Sequence, residues 1–145
     1  MKILLKTSFI LILLISFSAA SHAQQAKYNS LNKRMAVLYK NGKNRDAIIV
    51  AKQVIEVAEE TFGRKHAYYS ASLENLALLH MAEKDYADAE SLYEESLGVR
   101  ESLLGKEDPG LIKVLEKIKE CLEEQGKLDK VASIESRLEK IKALQ

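Results

Sequence analysis

The sequence predicts an all-α fold, an α-solenoid of about three antiparallel helix pairs, and three observations carry that prediction. The chain repeats itself at an interval of 42 residues: Gly42-Lys43-Asn44-Arg45-Asp46-Ala47 aligns with Lys84-Asp85-Tyr86-Ala87-Asp88-Ala89 and with Gly126-Lys127-Leu128-Asp129-Lys130-Val131. Leu31, Leu73 and Leu115 share that register, as do Gly63 and Gly105. Glycine is also sparse, Pro109 is the single proline, and 30% of residues are charged, which suits helices with solvated outer faces. A unit repeated in this way cannot bury its apolar face alone and must stack on its neighbours, which makes a binding array.

The first element in the chain is not a repeat. Lys2 and Lys6 give a positive start, residues 9–17 are apolar apart from Ser16, and Ser21-His22-Ala23 places small side chains where signal peptidase reads them. Cleavage is expected before Gln24, which divides the chain into a signal peptide, residues 1–23, and a helical domain, residues 24–145. An uncleaved anchor is the alternative, but the apolar run falls short of the ~20 residues that cross a bilayer. Ala23 stands where a lipoprotein would need cysteine. The expected location is exported, periplasmic in a bacterium and otherwise secreted, with no stable membrane insertion after cleavage.

The repeats span about residues 28–65, 66–107 and 108–145. In the first, Tyr28, Leu31, Met35 and Leu38 recur at helical spacing and the helix stops near Asn41-Gly42. Its partner runs from about Asn44 to Phe62 with Ala47, Ile48, Ala51, Val54, Ile55 and Ala58 inward and Gly63 as the stop. The second pair places Leu73, Leu76, Ala77 and His80 on one helix and Ala89, Leu92, Tyr93, Leu97 and Leu104 on the next. In the third, Asp108 is a good N-cap and Pro109 a tolerated first-turn residue. Leu111, Leu115, Ile118 and Leu122 follow as one stripe. The last helix, Leu128 to about Leu144, keeps Val131, Ile134, Leu138 and Ile141 apolar and is polar elsewhere, as a terminal cap requires.

Charge and chemistry narrow the function. Residues 24–145 hold twenty cations against twenty-one acids, and that near balance gives no reason to expect nucleic acid or an anionic membrane as a partner. A single cysteine rules out an internal disulfide. Cys121 is read as a small hydrophobe, because Leu79 and Val37 occupy its register. No catalytic residue, metal ligand set or cofactor motif is expected. His80 and Cys121 form the one conceivable base and nucleophile pair, and they define a subordinate enzyme alternative.

Residues 73–80, 84–93 and 100–109 read LENLALLH, KDYADAESLY and RESLLGKEDP, and they resemble the 42-residue tetratricopeptide repeat of the kinesin light chain type. The resemblance covers about Tyr28 to Leu144. It implies a right-handed superhelix, small residues such as Ala77 and Ala89 at close crossings, and a concave groove lined by the first helix of each pair. On that geometry the candidate partner-binding residues are Asn32, Tyr39, Glu74, Leu78, Met81, Glu116, Glu120 and Glu123. The groove is then polar at its start, apolar at Leu78 and Met81, and acidic at its end, suiting a partner segment with apolar anchors followed by Lys or Arg. Arg34, Lys119, Ser96 and Ala67 depart from the pattern. The expected role is an exported, non-catalytic module that binds a protein or peptide, with self-association as a structural envelope protein the alternative. The oligomeric state stays open.

Overall fold

The computed structural model describes residues 22–144, so most of the expected signal segment lies outside the described residues. Six α-helices follow one another: α1 (residues 22–40), α2 (Asn44–Phe62), α3 (Ala67–Ala82), α4 (Tyr86–Leu104), α5 (Ile112–Glu124) and α6 (Leu128–Ala143). A 3-10 turn, Pro109–Leu111, leads into α5. Each helix packs on the next, and there is no strand among the described residues. The solenoid of three helix pairs is therefore as expected.

The turns inside the three pairs are copies of one motif. The N–H of Lys43 reaches the Leu38 carbonyl at 2.9 Å, that of Asp85 the His80 carbonyl at 2.8 Å, and that of Lys127 the Leu122 carbonyl at 2.9 Å. Beside them Gly42, Lys84 and Gly126 donate to Tyr39, Met81 and Glu123. These paired bonds are the Schellman closure of a helix, and they require a left-handed residue. Glycine supplies it at Gly42 and Gly126 (φ 71° and 69°), whereas Lys84 is forced to φ 65°.

Burial follows the apolar stripes with two corrections. Leu111, Leu115, Ile118 and Leu122 are all buried, and Leu138 and Ile141 close the core against Leu111 and Leu115. Complete burial of such side chains is worth ~1.5 to 3 kcal/mol each. In α2, Val50 and Val57 are buried while Ile48 and Ile55 are only half-buried, because α2 has neighbours on two sides: Met35 of α1, and Leu76 and Tyr69 of α3. Leu104, expected inward, is 47% exposed. It ends α4 and lies over the following turn, where its Cδ1 would meet a Cβ on Gly110 at 3.0 Å.

The start of the third pair also differs in detail. Asp108 accepts the Gly110 N–H at 2.7 Å and caps the 3-10 turn rather than the α-helix itself. In the second pair, where Ala67 replaces the proline, His66 takes over as N-cap by accepting the Tyr68 N–H at its Nδ1, 3.2 Å away.

Candidate functional site

A groove of about 580 Å³ runs between α3 and α5, with Tyr93 of α4 beneath it. Glu74, Asn75 and Leu78 come from α3, and Lys113, Val114, Glu116, Lys117 and Glu120 from α5. Leu78 stands on this surface, 38% exposed, because Leu73, Leu76, Ala77 and Leu79 fill the core-facing sides of its helix. Tyr93 is buried, and burial pushes its phenol well above the ordinary range. The groove thus has an apolar floor with charged walls.

Four of the expected residues, Glu74, Leu78, Glu116 and Glu120, are brought together here. Asn32 adjoins them: its side-chain oxygen accepts from Asn75 Nδ2 at 3.5 Å while its own amide donates to the Tyr28 carbonyl at 3.0 Å. Tyr39 is exposed on α1 and does not line the groove. Met81 is a correction. It packs, half-buried, against the core cluster that holds Ala77, Tyr93, Ile118 and Cys121. It lies one helical turn from Leu78 with a difference of about 60° around the axis, enough to turn it from the groove into the seam. Glu123 also lies outside the groove lining.

The charge of the groove differs from the expected acidic end. Glu120 pairs with Lys117 at 2.7 Å, Glu116 with Lys142 at 3.4 Å, and Glu123 with Lys119 at 3.5 Å. Glu74 is held from within by Arg100 and by the Ser96 hydroxyl at 2.6 Å, so buried Ser96 has a structural partner where alanine would have none. Lys113 has no ion-pair partner among the described residues, which leaves the groove with one uncompensated positive charge. Asn75, Tyr93, Lys113, Val114 and Lys117 line the groove but are absent from the candidate set; the pattern KxxEK at residues 113–117 was the available signal.

The conceivable catalytic pair has other surroundings. His80 Nδ1 is buried without a hydrogen bond, and its carboxylate neighbours are Asp85 at 3.6 Å and Asp88 at 3.8 Å. Cys121 is fully buried beside Ala89 and Tyr93, and burial pushes its thiol up to about 11. A thiol protonated at neutral pH is a poor nucleophile. No group of three or more metal-type side chains converges among the described residues.

No curated protein matches the sequence. Solved structures with the same fold include a putative kinesin light chain from Podosopora anserina with nearly identical TPR-like repeats. It aligns at TM-score 0.68 and 19% identity over 81% of this chain and 56% of that one. A point-substituted form of the same protein gives 0.69 and 20% over 81% and 55%. BtubC (BKLC) from P. vanneervenii gives 0.73 and 20% over 81% and 47%. The chain spans about half the length of these solved chains. Tetratricopeptide repeat profiles match residues 36–68 and 68–141, the second alone covering half of the chain, and the protein belongs to the tetratricopeptide repeat family.

Proposed function

We propose that this chain is an exported, non-catalytic interaction module that holds a segment of a partner protein in the groove between α3 and α5. The observation that carries the reading is Leu78, an apolar side chain displayed on a concave surface beside Lys113, the one cation lining this groove that has no ion-pair partner among the described residues. An apolar anchor from the partner would cover Leu78 and the Tyr93 and Val114 floor, and burial of such an anchor supplies affinity. Lys113 favours a carboxylate on the partner, in place of the Lys or Arg that the unpaired acidic residues suggested, because Glu116 and Glu120 already have lysine partners. Charge at such a rim sets orientation and encounter rate more than affinity.

Stacking of whole chains end to end is the less favoured reading. Arg34 stands where Leu76 and Ile118 are buried, and Glu135 where Ala51 and Tyr93 are buried, so continuing the stack would desolvate charge at both ends. The high thiol pKa of Cys121 argues likewise against the enzyme alternative.

The test is selection from a displayed random-peptide library with the purified chain. Enriched peptides should share an apolar residue near an acidic one, lose binding to Leu78→Asp, and shift toward basic residues with Lys113→Glu. Peptides that bind both variants as tightly as the parent would place the partner elsewhere.

A further inference from the structure

The near-zero net charge conceals a strong segregation. Residues 22–45 carry Lys27, Lys33, Arg34, Lys40, Lys43 and Arg45 and no acid at all, while residues 46–145 hold fourteen cations against twenty-one acids. Of the six, Arg45 alone has an ion-pair partner among the described residues, Glu83 at 3.8 Å. The other five are unneutralised, and all are exposed. The charge summed over the chain therefore hides which surfaces it can meet.

We infer that the outward face of α1 docks on the headgroup surface of an anionic lipid bilayer. Ala26, Ser30, Lys33, Val37 and Lys40 recur three or four residues apart, so they form one stripe. That stripe lies opposite Tyr28, Leu31, Met35 and Leu38, which face the core. Arg34 flanks it. The equivalents of Arg34 and Val37 in the inner repeats are buried: Leu76 and Leu79 against Ala47 and Val50, Ile118 and Cys121 against Ala89 and Tyr93. In α1 the same positions are open, with Val37 58% exposed.

Several polyanions would satisfy the charges, and two features favour a bilayer. An apolar side chain in the middle of the basic stripe gains from an acyl boundary, as it does in interfacial helices. The apolar run of residues 9–17 also ends four residues before α1 in sequence, so on the export reading this end of the chain is the one brought to a membrane. No helix among the described residues is long and apolar enough to cross a membrane. The inference draws on the export reading for its location and not on the groove.

The probe is the chain from Gln24, the form that the proposed processing leaves, which retains all four core clusters. Its sedimentation is measured with vesicles of phosphatidylcholine alone and mixed with phosphatidylglycerol. Binding should require phosphatidylglycerol and weaken as salt rises. Each surface cation contributes roughly fivefold in partitioning, so Lys33→Gln with Arg34→Gln and Lys40→Gln should reduce binding about a hundredfold. The same charge removed as Lys52→Gln, Lys65→Gln and Lys106→Gln should change it little, and Val37→Ser should weaken it. Leu78→Ser, which disables the proposed groove, should bind vesicles normally, so the two proposals fail separately. Equal losses in the two triple variants, indifference to phosphatidylglycerol, a loss with Leu78→Ser, or duplex DNA bound more tightly than vesicles would each overturn the assignment.

Discussion

Replacing Lys84 with glycine should stabilise the protein. The three intra-pair turns carry the same two hydrogen bonds, and their left-handed residue is Gly42, Lys84 or Gly126 at φ 71°, 65° and 69°. A residue with a Cβ pays ~1 to 2 kcal/mol in that conformation. Glycine instead loses ~0.5 to 1 kcal/mol of additional chain entropy on folding. The Lys84 side chain is exposed and has no ion-pair partner among the described residues, so its removal costs little else. The difference is a net gain of ~0.5 to 1 kcal/mol, or roughly 2 to 5 °C in Tm for a domain of this size. The converse substitutions, Gly42→Ala and Gly126→Ala, should cost ~1 kcal/mol each. A Cβ at either position meets no atom within 4 Å, so the loss would be conformational alone. Urea and thermal unfolding followed by circular dichroism measure all three. A neutral or destabilising Lys84→Gly, with Gly126→Ala costing its expected amount, would refute the argument that backbone strain is stored at this turn.

Ala89 is fully buried in the seam between the second and third pairs, whereas Glu94 is exposed on the same helix. Ala89→Leu should therefore cost ~1 to 3 kcal/mol by overpacking, and Glu94→Leu should leave the urea midpoint nearly unchanged. Glu90 is buried, which alone would raise its pKa, but hydrogen bonds from Lys127, Gln125 and Lys130 outweigh burial and hold it below the usual carboxylate range. Its contribution is thus complete above the unfolded carboxylate pKa of about 4.5 and is lost as pH falls through the lower folded value. Glu90→Gln should flatten the acid limb of stability against pH, and an unchanged limb would show that other carboxylates dominate it. Cys121, with its thiol raised to about 11, should react with a disulfide reagent at neutral pH only on unfolding. A rate in native conditions near that in urea would place the thiol outside the core.

Much of the fold was legible because the repeat fixes register. The helix ends at Asn41-Gly42 and Gly63, the Ala89 crossing and the stripe from Leu111 to Leu122 all follow from local chemistry repeated at one interval. The errors cluster where a side chain depends on a second neighbour. Val50 and Val57 are buried since α2 is sandwiched, and Leu104 is exposed since nothing in its own helix reports how the next turn passes it. The basic character of α1 was readable as an acid-free run from residue 22 to residue 45, yet it vanished in the total.

The candidate site was legible in half. Helical periodicity put Glu74 and Leu78 on one face of α3 and Glu116 and Glu120 on one face of α5, and the solenoid brings those faces together. Periodicity could not say that Met81 would turn into the seam, that Arg100 and Ser96 would claim Glu74 from α4, or that Lys142 would reach Glu116 from α6. By itself the sequence determined the helices, their pairing and their order, because these depend on propensity and spacing along one chain. The tertiary structure decided much of which charges remain unpaired, because pairs such as Glu74–Arg100, Glu116–Lys142 and Glu90–Lys130 join residues about 26 to 40 apart, whose approach in space is set by packing.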